Sequence, residues 1–116
     1  MSIREIREAM NARYLEAFNR GDAAACADLY AEDAAFLLSG SHPVRGRQAI
    51  QALHQRFIEA GVKMVSLDTL DIESHGDLAY AIVAYATQEE SGKALLVMKR
   101  QPDGSWKTQV ESVTAS

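Results

Sequence analysis

The spacing of apolar residues changes once along the chain, near residue 62. Before that point apolar side chains recur every three or four residues, which is the period of an α-helix with one buried face. After it, apolar and polar residues mostly alternate, as they do in β-strands. The pattern predicts an α+β fold in which helices of the first half pack on a sheet formed by the second half.

The first helix has clear signals at both ends. Ser2 followed by Glu5 has the spacing of a capping box, and Gly21 is suited to the left-handed residue that ends a helix. Between them the predicted buried positions recur at helical spacing: Ile3, Ile6, Met10, Tyr14, Ala17 and Phe18. We therefore predict a helix that ends before Gly21.

Two further helices are predicted before residue 62. Asp22 can cap a short second helix that buries Cys26, Leu29 and Tyr30, followed by a brief extended piece at residues 35–38. A third helix is predicted from Gly46 to Gly61, and its apolar stripe consists of Ile50, Leu53, His54, Phe57 and Ile58. His54 is thus a lone histidine on an otherwise apolar face.

The second half is predicted to form four antiparallel strands, with residues 35–38 as a short fifth. In a regular strand Val65 and Leu67 would point to one face of the sheet, and Leu70 and Ile72 to the other. A bulge near residues 68–69 would turn all four inward. Further strands are expected at residues 78–88, 93–101 and 106–114, and alanines alternate with large residues in the first of these. A curved sheet of this kind, covered by helices, is expected to enclose a pocket.

Composition limits the possible functions. The 116 residues are 47% hydrophobic and 24% charged, which suits one domain spanning residues 1–116. The net charge is −4 and the cationic residues are scattered, so neither nucleic acid nor a membrane is an expected partner. The N-terminus does not have the pattern of a signal peptide and no segment suits a bilayer span, so we expect a cytoplasmic protein. The three histidines lack ligand spacing and no cofactor motif is present, so no metal and no cofactor are expected.

Several segments, taken in order, resemble the NTF2-like superfamily. They are the first helix ending in Asn-x-Gly-Asp, the Tyr-x-x-Asp-Ala junction at residues 30–34, the Gly-x-x-Ala-Ile start of the third helix, residues 76–80 and residues 99–107. This superfamily has a cone-shaped α+β fold and includes ketosteroid isomerases and SnoaL-like polyketide cyclases. The chain most closely resembles its DUF4440 branch, and the resemblance covers essentially the whole sequence.

The resemblance argues against steroid isomerisation. Ketosteroid isomerases use an Asp base together with a Tyr and a protonated Asp that donate hydrogen bonds to the substrate oxygen. Tyr14 matches the family's tyrosine, but Leu38 stands at the position of the base, and Leu95 and Leu96 stand at that of the second acid. Tyr14 is either a donor to a ligand or a packed residue with its hydroxyl bonded across the pocket wall.

Glu111 is the candidate proton carrier. Related DUF4440 sequences usually carry an Asp in its register, which is expected to share a face with Gln109 and Val113. A carboxylate facing an apolar pocket would have a raised pKa, as acid/base catalysis requires. The alternatives are a structural ion pair or plain exposure to solvent. His54 could pair with Glu111 for proton transfer, or be a satisfied core residue.

Ligand-binding candidates are drawn from the expected pocket walls and mouth. His42 lies in the loop that would border the mouth, where it could contact a ligand, although a solvated histidine is the default for such a loop position. The other candidates are Phe36, Tyr85, Met98 and Val113, any of which could instead be core residues.

Two classes of function remain open. One is a protein that binds a small hydrophobic molecule, with or without SnoaL-like acid/base catalysis by Glu111 assisted by Tyr14 or His54. The other is a non-catalytic association module. Because the outer face of long strands would expose apolar side chains, and because the resemblance implies it, a homodimer is expected in either case.

Overall fold

The computed structural model describes residues 1–115, which form three helices on one face of a six-stranded sheet. The predicted α+β architecture, with helices of the first half packed on a sheet, is confirmed. In chain order the elements are α1 (Ile3–Asn19), α2 (Ala23–Ala27), β1 (Tyr30–Leu37), β2 (Val44–Arg45), α3 (Arg47–Glu59), β3 (Met64–His75), β4 (Leu78–Thr87), β5 (Ser91–Arg100) and β6 (Trp106–Ala115).

The predicted signals at the ends of α1 are present in the structure. Ser2 Oγ accepts from the Glu5 amide at 3.1 Å, and Glu5 Oε1 accepts from the Ser2 amide at 2.9 Å, completing the capping box. Gly21 has φ +81°, the left-handed conformation expected after the helix. Asp22 caps α2, which is shorter than predicted, so Tyr30 belongs to a strand and not to a helix.

The sheet has the strand order β2-β1-β6-β5-β4-β3. All neighbouring strands are antiparallel except β1 and β6, which are parallel. The four predicted antiparallel strands are present as β3 to β6, and the short fifth is β1, whose parallel pairing with the last strand was not predicted. The two-residue strand β2 was missed. β1 also begins at Tyr30, five residues earlier than expected, because Glu32 and Asp33 are exposed strand residues that resembled a turn.

A bulge in β3 lies beside the predicted position. The register with β4 shifts between Thr69 and Asp71, and the apolar residues on either side, Leu67 and Ile72, pack against the core. Leu70 itself is 53% exposed and Val65 is 62% exposed. The bulge therefore brings two of the four apolar residues inward, and the other two face solvent.

The buried core lies between the helices and the inner face of the sheet. Along β4 and β5 alternate residues are buried, and the intervening ones, including Leu78 and Leu95, are exposed on the outer face. Within the described residues, no helix has both the length and the apolar character needed to cross a membrane.

Candidate functional site

A cavity of about 190 Å³ lies between the helices and the inner face of the sheet. Its walls are mainly apolar and include Phe18, Phe36, Leu38, Phe57, Leu67 and Leu96. Its polar wall residues include Arg7, Asn11, Tyr14, Tyr30, Thr108 and Glu111. A small set of polar groups in an apolar concavity is the usual composition of a small-molecule site.

Glu111 is brought to the cavity wall by the register of β6. It lies opposite Leu96 of β5 and beside Phe36 of β1. A register shift between the partners of Val97 and Met98 inserts Gln109 into β6 as an extra residue. Gln109 donates to Asp33 at 3.0 Å and does not line the cavity, so its expected position on the face of Glu111 was wrong.

Tyr30 holds the Glu111 carboxyl group in place. Its hydroxyl donates to Glu111 Oε1 at 2.6 Å, and its side chain is only 2% exposed. The Tyr30 carbonyl oxygen accepts from Nε and Nη2 of Arg47 at 3.0 and 2.7 Å. Arg47 therefore fixes the backbone from which the Tyr30 hydroxyl reaches Glu111.

Burial in the cavity wall raises the pKa of Glu111 above its ordinary value. The hydrogen bond from Tyr30 and the positive charge of Arg7 favour the carboxylate and offset part of this rise. A carboxyl group with a raised pKa in an apolar site is better suited to accept and return a proton than an ordinary surface carboxylate.

His54 bonds to Tyr14 and not to Glu111, as in its alternative as a satisfied core residue. His54 Nδ1 lies 2.8 Å from the Ile50 carbonyl oxygen, which can only accept, so Nδ1 carries the proton. Nε2 is therefore an acceptor, and the Tyr14 hydroxyl donates to it at 2.7 Å. Both ring nitrogens are occupied, which leaves none for Glu111.

The surroundings of His54 favour its neutral form. The side chain is fully buried, and its ring lies 5.7 Å from Phe36 and 5.8 Å from Phe57. This burial lowers the pKa of His54. His54 does not line the cavity; it lies behind Tyr14, which does. His54 thus reaches the cavity only through the Tyr14 hydroxyl.

Arg7 is a wall residue that the sequence interpretation missed. It is 4% exposed, and its Nε donates to Asn11 Oδ1 at 2.9 Å. Asn11 in turn donates to Thr69 Oγ1 at 3.0 Å, which links α1 to β3. Burial lowers the pKa of Arg7, and the nearby Glu111 raises it. The available signal was its spacing, since Arg7 lies four residues after Ile3 and therefore on the buried stripe of α1.

Three of the five predicted ligand-binding residues line the cavity: Phe36, Tyr85 and Val113. Met98 does not, because it is fully buried in the core, where it packs in a cluster with Met10 of α1. His42 is exposed in the loop before β2 and is not part of the cavity wall. Met98 and His42 are therefore not positioned to touch a molecule in this cavity.

The leucines at the expected acid positions face the same space. Leu38 and Leu96 both line the cavity, whereas Leu95 is 48% exposed on the outer face. The interior thus presents leucine at both places where the resemblance to ketosteroid isomerases would require an acid. Within residues 1–115, no group of His, Cys, Asp or Glu is arranged to hold a metal ion.

Comparison with known families identifies the domain. The sequence profile of the SnoaL-like domain matches residues 11–108, most of the chain. Among curated proteins, none is significantly similar to it in sequence. The finer placement in the DUF4440 branch stays a prediction.

Solved structures show the same fold. A domain of unknown function with a cystatin-like fold from Nostoc punctiforme is 20% identical, with a TM-score of 0.83 over 93% of this chain and 74% of that one. A ketosteroid isomerase-like protein from Erwinia carotovora atroseptica is 20% identical, with a TM-score of 0.78 over 93% and 92%. A putative calcium/calmodulin-dependent protein kinase type II association domain from Thiobacillus denitrificans is 17% identical, with a TM-score of 0.78 over 94% of each chain. At these identities the similarity concerns the fold alone.

Proposed function

Because this chain belongs to the SnoaL-like domain family, we propose that it binds a small hydrophobic molecule in its cavity and acts on it by acid/base catalysis. The proposed reaction is of the isomerase or cyclase type and needs no cofactor. The observation that carries the proposal is the position of Glu111, whose carboxyl group lies in a mainly apolar wall with a raised pKa. Surface carboxylates have no such environment.

Glu111 is the proposed proton carrier. Tyr30 engages Oε1, so Oε2 is the oxygen proposed to take a proton from a carbon next to a substrate carbonyl group. The protonated carboxyl group then returns the proton to a second atom of the intermediate. The apolar walls favour this cycle because they destabilise the carboxylate that begins it.

Tyr14 is the proposed hydrogen-bond donor to the substrate oxygen. Burial raises its pKa well above the ordinary value, so the hydroxyl keeps its proton. That proton is directed to His54 Nε2, and a substrate oxygen would compete with the imidazole for it. His54 thus holds the Tyr14 proton until a substrate oxygen displaces the imidazole, and His54 itself does not touch the substrate.

The alternative is a dimeric association module. Leu95 is 48% exposed and Leu78 is 50% exposed on the outer face of the sheet, which leaves apolar surface uncovered in a single chain. We propose that a second copy of the chain covers this face. A similar fold occurs in the Thiobacillus protein described as a putative kinase association domain. Dimerisation is compatible with both functions, so the role of Glu111 separates them.

A thermal-shift screen tests whether the cavity binds ligands. The panel consists of single-ring carbonyl compounds and larger polyketide-like carbonyl compounds. A ligand present at about 100 times its dissociation constant adds about 2.7 kcal/mol of apparent stability. The matched control is Ala94→Leu, because Ala94 lines the cavity and a larger side chain there would occupy it. We expect shifts with the natural sequence that Ala94→Leu removes; a panel without any shift would contradict the binding proposal.

Turnover of the binding compounds then separates catalysis from binding alone. Glu111→Gln keeps the shape of the side chain and its ability to accept from Tyr30, but cannot carry the proton. We expect retained binding and loss of turnover. Turnover by Glu111→Gln at the rate of the natural protein would refute the assigned role, and binding without turnover by either protein would favour the non-catalytic alternative.

A further inference from the structure

Arg7 places a buried positive charge in the wall of the cavity without a contacting negative partner. Its side chain is 4% exposed, and Nη1 is buried with no hydrogen-bond partner in the described part of the chain. Its one side-chain partner is the neutral amide of Asn11. Within residues 1–115, no carboxylate oxygen lies within 4.0 Å of an Arg7 nitrogen.

A buried, unpaired guanidinium group is energetically unfavourable unless a bound group supplies the missing acceptor. A guanidinium group stays charged at all ordinary pH values, and a buried charge is costly when it is neither paired nor fully hydrogen-bonded. Most buried polar atoms in proteins have a partner, so an incompletely hydrogen-bonded guanidinium group on a cavity-wall residue calls for an explanation. A ligand that enters the cavity can supply the missing acceptor.

Glu111 does not fill this role. It influences Arg7 through space, but its Oε1 is engaged by Tyr30 and neither oxygen is in salt-bridge contact with the guanidinium group. Burial moreover favours the protonated form of Glu111. When Glu111 carries its proton, the cavity wall retains the positive charge of Arg7 with no adjacent compensation.

We propose that the ligand of this cavity is a small organic acid whose carboxylate binds the guanidinium group of Arg7, a residue of the cavity wall. Its apolar body would lie against Phe18, Phe36 and Leu96, which line the same space. The inference rests on the proposed binding of a small hydrophobic molecule and adds the chemical class of that molecule. A monoanion is favoured over a phosphate dianion because one arginine can balance one negative charge in an apolar site.

The volume of the cavity limits the size of the acid. An engineered cavity of about 150 Å³ in another protein accommodates benzene. The cavity of about 190 Å³ is somewhat larger, so a single ring with a short acidic side chain fits and a four-ring steroid does not. This limit agrees with the replacement of both isomerase acids by leucine.

The test compares 3-phenylpropionate with its neutral amide, 3-phenylpropionamide, which has nearly the same shape. Binding of each compound to the full chain is measured by calorimetry near neutral pH, where the acid is ionised. We expect the acid to bind at least about tenfold tighter, because a charge-assisted hydrogen bond supplies a factor of that order. Equal binding of acid and amide would overturn the inference while leaving the proposed binding site intact.

Variants assign the preference to one residue. Arg7→Met should remove the preference for the acid and keep binding of the amide, whereas Arg13→Met, an exposed arginine on the same helix, should change neither. A preference for the acid that survives in a folded Arg7→Met variant would contradict the proposal.

If Arg7→Met does not fold, the comparison of acid and amide on the natural protein still decides. If neither compound binds although neutral panel compounds do, the inference fails alone; if nothing in the panel binds, the proposed function fails too.

Discussion

The Tyr14 hydroxyl donates a hydrogen bond of 2.7 Å to Nε2 of His54. This contact joins α1 to α3 at the cavity wall and fixes the tautomer of a fully buried imidazole, since Nδ1 donates to the Ile50 carbonyl oxygen. Tyr14, which matches the tyrosine donor of the isomerases, is thus bonded across the pocket wall. This was the second of the two alternatives that the sequence left open for it. Its hydroxyl is held in a defined orientation and is not free in the cavity.

Tyr14→Phe is expected to destabilise the fold. The substitution leaves His54 Nε2 as a buried acceptor without its donor, which costs about 1–3 kcal/mol. Denaturant unfolding measures the loss. Tyr80→Phe is the matched control, because the Tyr80 hydroxyl bonds Asp71 and Glu73 at exposed positions. Equal stability losses in the two variants would contradict the role of the buried contact.

The stability of the protein should depend on the protonation of His54. Burial lowers its pKa in the folded state below the value of 6.5 taken for the free side chain, so the unfolded chain binds the proton more readily. The stabilising contribution of neutral His54 is therefore complete above pH 6.5 and is lost progressively as the pH falls toward the folded-state pKa.

Unfolding free energies at about pH 7.5 and about pH 5.5 check this expectation, with a limiting slope of about 1.4 kcal/mol per pH unit for one proton. His54→Gln is the comparison, because glutamine does not titrate and the exposed His42 and His75 remain. The natural protein should lose more stability on acidification than the variant. Glu111 has a raised pKa and shifts stability in the opposite direction, but it is present in both proteins.

Leu95→Glu is expected to convert a dimer to a monomer. Leu95 pairs across strands with Ile82 at the outer face, where a charged side chain would be buried by a second copy. Light scattering after size exclusion measures the mass. Gln51→Glu changes an exposed residue of α3, on the other side of the molecule, and should leave the mass unchanged. A natural protein that is monomeric at high concentration would contradict the proposed dimer.

The predictable parts of the fold were those set by local sequence. Ser2, Glu5 and Gly21 act within a few residues of themselves, so the ends of α1 could be recognised without knowledge of the rest of the chain. The parallel pairing of β1 with β6 could not, because it depends on residues about eighty positions apart. No local pattern distinguishes a parallel neighbour from an antiparallel one.

The site was predictable where one strand register determined the outcome. Glu111 and Val113 lie two positions apart on β6, so they share a face, and both line the cavity. The same reasoning gave the wrong face for Gln109, because it is an extra residue in β6 and the inward and outward positions exchange there. Tyr30 and Arg7 were missed for a different reason. Helical spacing could have indicated that Arg7 is buried, but not that one of its nitrogens lacks a partner. The contact of Tyr30 with Glu111 joins two elements and is not visible in a single sequence.

Tyr30→Phe should raise the pKa of Glu111 further. The hydrogen bond from the Tyr30 hydroxyl stabilises the carboxylate, so its removal favours the protonated acid. If the protein turns over a substrate with Glu111 as base, the acidic limb of the pH–rate profile should move to higher pH in the variant. An unchanged limb would show that another group controls it.

The central claim, that the cavity prepares Glu111 for proton transfer, is tested most directly by NMR titration of its side-chain carboxyl carbon. The resonance is assigned by comparison with Glu111→Gln, and its chemical shift is followed as the pH is varied. We expect a midpoint above 4.5, the ordinary value for a glutamate, and a higher one in Tyr30→Phe. A midpoint at or below 4.5 would show that Glu111 is an ordinary carboxylate that the cavity does not prepare for proton transfer.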